Sequence, residues 1–276
     1  MNSNHIREIK KFTKKVWGTN PAGWAHAQDK QKGTQAFFEK VLTKRSTQEL
    51  PWLPEVVQFE NYTGKKVLEI GCGAGYDAYA FCKAGAQYVG IDLVPENIVL
   101  SKAHLALYGF NPLIEELDAE NMEFKDSFDL IYSFGVLHHI PRVERVIEKS
   151  YQALKSGGIV CFIVYYKYSI VYLRIILNWL LRRRFLRETL QDALSCVEDV
   201  GSSERPLVRV YSKKEFCSLL VQAGFKINNV KIRKLERQDL IQIRIVWRFY
   251  KYIPQWLLDK ISHWWGWYLC VKATKE

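Results

Sequence analysis

The chain of 276 residues lacks an apolar run long enough to cross a bilayer. Its stretch from Ile170 to Leu181 is 12 residues long and is interrupted by Arg174 and Asn178, whereas a spanning helix needs about 20 apolar residues. The first residues, MNSNHIREIKKFTKKVW, carry charges but no apolar segment of the secretory kind, so a cytoplasmic location is expected. The six cysteines (72, 82, 161, 196, 217, 270) form no C-x-x-C pair and show no metal-ligand spacing. A disulfide framework and a cysteine metal site are thereby excluded, and no metal is expected. Cys72, Cys82 and Cys161 fall in predicted core elements and read as buried thiols in a reducing compartment. Internal repeats and low-complexity tracts are also missing.

What is present is unevenly spread. Residues 1–160 carry 19 basic and 19 acidic side chains, so the whole formal charge of +11 belongs to residues 161–276, which also hold six of the nine tryptophans. The length suffices for one full core with appendages. A neutral core with a basic, aromatic attachment is the expected organisation.

The segment VLEIGCGAGYDAYA, residues 67–80, carries most of the chemistry. Val67 to Ile70 reads as a buried strand, Gly71 to Gly75 as a glycine turn, and Tyr76 to Lys83 as the helix that follows. This arrangement lets backbone approach a nucleotide-like ligand beside a helix N-terminus. GIDLVPENI (90–98) follows with Asp92 at the carboxyl end of a second strand, 21 residues after Gly71. A dinucleotide fingerprint is G-x-G-x-x-G. Here the third glycine comes one position early and Tyr76 takes its place, which disfavours a nicotinamide dinucleotide.

LEIGCGAG with a downstream acidic residue resembles the cofactor motif of the class I S-adenosylmethionine-dependent methyltransferases, and further segments fall in family order. PLIEELDAENMEF (112–124) reads as a third strand from Leu113 to Leu117. DSFDLIYSFGVLHHI (126–140) reads as a fourth strand, Phe128 to Ser133, and its turn. VIEKSYQALKSGGIVCFIVYYK (146–167) reads as a helix, a Lys-Ser-Gly-Gly turn and a fifth strand. The likeness covers about residues 60–167 and points to the subgroup that includes quinone-biosynthesis and other small-molecule enzymes. It implies an α/β fold with a Rossmann-like, doubly wound sheet of seven strands, mostly parallel with an antiparallel last strand, plus helical cap insertions.

The resemblance also implies S-adenosyl-L-methionine as cofactor and assigns its contacts. Gly71, Gly73 and Gly75 allow backbone contact with the methionine part, with Cys72 in the same turn and Glu69 beneath it as an orienting group, and Asp92, followed by Leu93, accepts from the ribose hydroxyls. Asp118, Ala119 and Glu120 lie at the adenine, with Ser133 and Phe134 beyond the fourth strand. The acceptor belongs outside the carboxyl ends of the strands. His138 and His139 follow strand four there, and Tyr165 and Tyr166 follow strand five. His138, His139 and Tyr165 are the catalytic candidates, since a near-neutral histidine can take a proton from a hydroxyl. His138, nearer the strand end, is favoured. Packing or acceptor positioning is the competing role for the pair.

Residues 1–60 are expected to form a helical lid, with helices from His5 to Val16 and Thr34 to Thr43. Trp17 and Trp24 around the Asn20-Pro21 turn, with Tyr166, are the substrate candidates. Residues 61–276 then make the core, with cap insertions at about 168–205 and 238–264. In Ile170–Leu181, Arg174, Asn178 and, just beyond, Arg182 form a polar stripe on an apolar helix. Helix Lys213–Ala223, strand Phe225–Leu235 and closing strand 267–275 complete the pattern. The Asn/Asp-Pro-Pro-aromatic tetrapeptide that usually accompanies nucleobase-amine methylation is replaced by SFGVLHHI, and no Pro-Cys occurs for cytosine C5 chemistry. Nucleic acid is thus an unfavoured partner. The basic half leaves three readings open: a cap over the acceptor, amphipathic helices on an anionic membrane, or an RNA surface. A small, lipophilic or aromatic acceptor methylated on oxygen or carbon is expected, with a catalytically degenerate cofactor-binding module as the non-enzymatic alternative. The acceptor itself and the oligomeric state are not legible.

Overall fold

The computed structural model describes residues 3–198, 206–240 and 252–276. In chain order the elements are α1 (Ser3–Thr19), α2 (Gln35–Lys44), α3 (Leu53–Val57), β1 (Lys66–Ile70), α4 (Tyr76–Lys83), β2 (Gln87–Asp92), α5 (Pro95–Ala106), β3 (Leu113–Glu116) and β4 (Phe128–Phe134). They continue with α6 (Val143–Ala153), β5 (Leu154–Tyr165), α7 (Ile170–Leu181), α8 (Leu190–Ser195), α9 (Lys213–Gln222), β6 (Phe225–Arg233), α10 (Gln255–Trp265) and β7 (Tyr268–Lys275).

The strands form one seven-stranded sheet in the order β3-β2-β1-β4-β5-β7-β6. Strands β1 to β5 pair in parallel, and β7 runs antiparallel to both neighbours. This is the doubly wound, Rossmann-like sheet expected from the sequence. Its central strands β1, β4 and the second half of β5 are almost wholly buried because helices cover both faces. One apolar cluster, with Leu68, Ile131, Phe162 and Leu269, packs under α6 and α9. The other, with Val67, Leu130, Tyr132 and Phe81, packs under α3 and α4. The chain order reverses between β1 and β4, so the crevice above their carboxyl ends is the switch point at which such sheets bind ligands.

Local chemistry explains most boundaries. The Thr34 hydroxyl accepts from Phe37 N and starts α2. Ser212 and Glu215 form a reciprocal capping box that starts α9. The Lys-Ser-Gly-Gly turn expected before the fifth strand is instead a bulge inside it. Phe128 pairs with Leu154, but Leu130 pairs with Ile159, and the extra residues are taken up around Gly157 at φ +75°.

The two insertions meet. Ile170 of α7 packs beside Leu235, Leu258 and Ile261. Arg174 turns its guanidinium to the carbonyls of Gln238 and Asp239, so its place in the polar stripe serves this contact. Part of each expected insertion, residues 199–205 and 241–251, lies outside the described residues.

Candidate active site

The glycine turn is shaped by what surrounds it. A side chain at Gly71 (φ +77°) would meet Val136 Cγ2 at 2.3 Å, and one at Gly75 (φ +78°) would meet Ser101 Oγ at 2.5 Å. Both positions need glycine for the fold itself. Gly73 differs: its φ is +52° and, among the described residues, no heavy atom lies within 4 Å of where a Cβ would stand. The open space there belongs to a cavity of about 520 Å³ bordered by Gly71, Cys72 and Gly73 on one side. That volume is in the range of a small-molecule cofactor site. Beneath the turn, His104 stacks on Phe38 at 4.3 Å and its Nδ1 is 3.0 Å from the Ala74 carbonyl. Burial lowers the His104 pKa to about 4, so it holds the turn as a neutral imidazole.

Asp92 sits buried at the end of β2. Its Oδ2 accepts from Gly73 N at 2.9 Å, and its Oδ1 from Val94 N at 2.9 Å and Asn97 Nδ2 at 3.3 Å. Burial raises its pKa, with the backbone bonds opposing. With only one bond on Oδ2, the carboxylate retains acceptor capacity on the cavity wall it lines. The residues present therefore fit a ligand carrying vicinal hydroxyls, as the expected cofactor does.

Two further carboxylates, Glu69 and Asp77, line the same cavity. Burial raises the Glu69 pKa well above the ordinary range, and the charges of Asp77 and Asp92 push the same way. Its Oε2 accepts from Tyr88 OH at 2.5 Å. Asp77 accepts from Arg45 Nη2 at 2.6 Å and Tyr132 OH at 2.9 Å. Burial disfavours the charge on Arg45, but Asp77 more than restores it and its pKa is raised.

The end expected to face adenine shows an arrangement that no sequence pattern announced. Lys10 of α1 reaches 2.6 Å from Asp118 Oδ2 and 2.6 Å from Glu120 Oε2. Glu120 is fully buried and also accepts from Arg142 Nε and Nη2 at 2.9 and 2.7 Å. Asp118 and Ala119 line the cavity; Glu120 does not. It ties α1 and the segment after β4 together.

The expected site residues divide according to geometry. Glu69, Gly71, Cys72, Gly73, Asp92, Leu93, Asp118, Ala119, Phe134, His139, Tyr165 and Trp17 line the cavity together. Gly75, Glu120, Ser133, His138, Trp24 and Tyr166 are not on its wall. Ser133 spends its hydroxyl on the Ile70 carbonyl at 2.9 Å. Tyr166 follows Tyr165 at the end of an extended strand and so points to the opposite face, where it packs into the core. Trp24 lies half-buried under Lys32. The preference for His138 is reversed. Its ring is fully buried, stacked on Tyr165 at 3.8 Å, with neither nitrogen hydrogen-bonded among the described residues, and burial lowers its pKa well below the ordinary value. In the Leu137–His139 3-10 turn successive side chains diverge by about 120°, so His139 reaches the cavity.

Several wall residues were not foreseen: Arg45, Glu49, Glu198, Lys234, Trp267 and Tyr268. Trp267 stacks on Tyr165 at 4.2 Å, and Trp17 stands 5.7 Å from His139. Their aromatic rings line the same cavity as the glycine turn. Among the described residues no helix is long and apolar enough to cross a membrane.

Residues 68–162 match a family model described as a methyltransferase domain. A "Ubiquinone biosynthesis O-methyltransferase" from Pseudomonas savastanoi pv. phaseolicola is 30% identical over 179 residues, 58% of this chain and 76% of the relative. One of the same description from Stutzerimonas stutzeri is 28% identical over 199 residues, 65% of this chain and 83% of the relative. Among solved structures, an S-adenosylmethionine-dependent methyltransferase from Mesorhizobium loti superposes with a TM-score of 0.55 at 19% identity, covering 80% of this chain and 96% of that one. A second, from Methanosarcina mazei, gives 0.56 at 20%, covering 79% and 97%.

Proposed function

The chain belongs to the S-adenosylmethionine-dependent methyltransferases, and on that premise we propose that it methylates a hydroxyl oxygen of a small, lipophilic or aromatic acceptor. The observation that carries this reading is one continuous cavity with two unlike halves. Gly71, Gly73, Asp92 and Asp118 form a polar, backbone-rich half suited to the cofactor. Trp17, Phe134, Tyr165, Trp267 and Tyr268 form an aromatic half suited to a flat apolar ring, with His139 and Glu198 beside it. The similarity to O-methyltransferases of ubiquinone biosynthesis supports an oxygen acceptor.

The cofactor, when bound, supplies an electrophilic methyl on a sulfonium. The protein then has three tasks: to align an acceptor oxygen in line, to exclude water, and to receive or displace the hydroxyl proton. We assign alignment to the aromatic faces of Tyr165 and Trp267. Water exclusion falls to α1, whose Lys10, Thr13 and Trp17 close one side of the cavity. This gives residues 1–60 the role of a lid. The proton is the business of the His139–Glu198 pair. With cofactor labelled on the methyl carbon, label is expected in the organic phase of a fractionated cell extract, in a product stable to mild base as an ether is. Label confined to RNA or protein would reject the acceptor class.

The insertions support a membrane surface as the place where such an acceptor is collected. On α7, Leu173, Leu177, Leu180 and Leu181 are exposed, spaced as one face of the helix. Leu186 follows, between exposed Arg182, Arg183 and Arg187. On α10, Trp256, Trp264 and Trp265 are exposed to more than half their surface. Exposed leucine and tryptophan beside arginine is the composition of an interfacial helix, and each basic side chain near an anionic surface contributes about 1 kcal/mol. Vesicles with anionic phospholipid are expected to co-sediment the protein at low salt and release it at high salt, whereas zwitterionic vesicles retain little. Leu181→Glu with Leu186→Glu is expected to weaken binding about tenfold or more, since charge replaces buried apolar area. Equal sedimentation of wild type and variant would reject the surface.

A further inference from the structure

We propose that His138, His139 and Glu198 form a binding site for a divalent transition-metal ion on the acceptor side of the cavity. The proposal rests on the methyltransferase reading and adds a site to it. Each of the three side chains offers a ligand atom, all within 4.8 Å of one another. The sequence hides the set, because Glu198 lies in the insertion after α8, far along the chain from the histidine pair.

Hydrogen bonding fixes which atoms face one another. His139 Nδ1 is 2.6 Å from the Leu207 carbonyl oxygen. A carbonyl only accepts, so Nδ1 carries the proton, and a neutral ring presents its Nε2 lone pair. That lone pair faces Glu198 Oε1 at 3.6 Å, and Oε1 already accepts the hydroxyl proton of Tyr165. Two acceptors thus point at each other across a gap too wide for a hydrogen bond. The gap is close to the separation of about 3.4 Å between two ligands of one tetrahedral ion bound at about 2.1 Å. The Nδ1–H to backbone carbonyl bond is the support that metal-ligating histidines usually have.

His138 supplies the independent observation. Its side chain is wholly buried, and neither ring nitrogen has a hydrogen-bond partner among the described residues. An unpaired buried imidazole nitrogen costs free energy. One of its ring nitrogens already lies within 4.8 Å of the other two ligand atoms, and no hydrogen bond holds it away from them. Burial also keeps the ring neutral, the form that ligates. Two imidazoles and one carboxylate suit zinc-like ions better than magnesium or calcium. The ion with these ligands carries a single positive charge, and because His139 and Glu198 line the cavity its open positions face the acceptor. It would hold an ionised hydroxyl oxygen of matching charge, and a metal ion of this kind lowers the pKa of a bound oxygen strongly.

The test is titration of the chelator-treated full-length chain with Co2+, read by visible absorption. A single equivalent is expected, with d–d bands of nitrogen and oxygen ligation and no thiolate charge-transfer band. Glu198→Gln and His139→Asn are each expected to weaken uptake by about tenfold or more, and Glu198→Asp to restore part of it. S-adenosylhomocysteine binding, followed by calorimetry, is expected to persist in every variant. No Co2+ uptake by wild-type protein that binds S-adenosylhomocysteine would overturn the metal site alone, leaving a proton between His139 and Glu198. Uptake unchanged in both variants, or thiolate bands, would overturn it as well. Loss of S-adenosylhomocysteine binding by the wild type would instead strike the cofactor reading.

Discussion

Asp92→Ala is expected to weaken S-adenosylhomocysteine binding by at least about 100-fold, measured by calorimetry. A hydrogen bond to a charged group contributes about 1.5–3 kcal/mol. Two ribose hydroxyls on one carboxylate therefore account for roughly 3–6 kcal/mol, and every 1.4 kcal/mol is tenfold. The carboxylate has a second duty. It accepts from the backbone N–H groups of Gly73 and Val94, so its removal leaves two donors unsatisfied and loosens the glycine turn. A lower melting temperature is expected alongside the lost affinity. Asp92→Asn keeps one carbonyl oxygen and is expected to fall between wild type and Ala in both. Full affinity in Asp92→Ala would remove the ribose from this position, whatever happened to stability.

The half of the cavity that contains Asp92 is legible in the sequence because its requirements are local. A tight turn beside a helix N-terminus needs glycine where φ is positive, and a carboxylate must stand one strand over. Both constraints act over short stretches of sequence, at Gly71–Gly75 and at Asp92. The rest of the cavity surroundings, the Lys10 contacts beside Asp118 and the acceptor half alike, is built from long-range contacts. Lys10 reaches Asp118 and Glu120 across 108 and 110 positions, and the carbonyl that orients His139 belongs to Leu207, 68 positions away. No local pattern encodes such pairs.

Two signals were nonetheless available. An antiparallel last strand beside β5 begins where β5 ends, which places Tyr268 opposite Tyr165 and Trp267 at the cavity. Alternation along an extended strand separates Tyr165 from Tyr166, and Ser133 from Phe134, onto opposite faces. Adjacent residues in these pairs could not share one site. The choice between His138 and His139 failed for a different reason. Distance from the strand end says nothing about direction once the backbone enters a 3-10 turn. Glu120 illustrates the converse case, since an acidic residue in the adenine segment is used to fasten α1 to the body of the fold.

Arg45 shows what the polar half costs the fold, and its replacement is the stability experiment with the largest expected effect. Glu69, Asp77 and Asp92 are all buried. The guanidinium of Arg45, paired with Asp77 at 2.6 Å, is the cation set against them. Its ring contacts, 5.3 Å from Tyr76 and 5.6 Å from Phe134, hold it in place. Arg45→Met keeps much of the apolar stem and removes the charge. Breaking a buried pair by deleting one partner costs about 3–5 kcal/mol, because the other charge stays behind without compensation. Urea unfolding is expected to show a loss of that order near neutral pH. Adding Asp77→Asn, which still accepts from Tyr132, is expected to recover more than half.

The pH dependence of that loss follows from Glu69. Its folded pKa is already raised by burial and by the neighbouring carboxylates, while Arg45 holds it down. A group whose folded pKa is raised weighs against the native state once the pH exceeds its unfolded value. Without Arg45 the rise is larger, so the deficit of Arg45→Met is expected to be smaller at pH 5 than at pH 8. A deficit independent of pH, or below about 1 kcal/mol throughout, would mean that water already screens the three carboxylates.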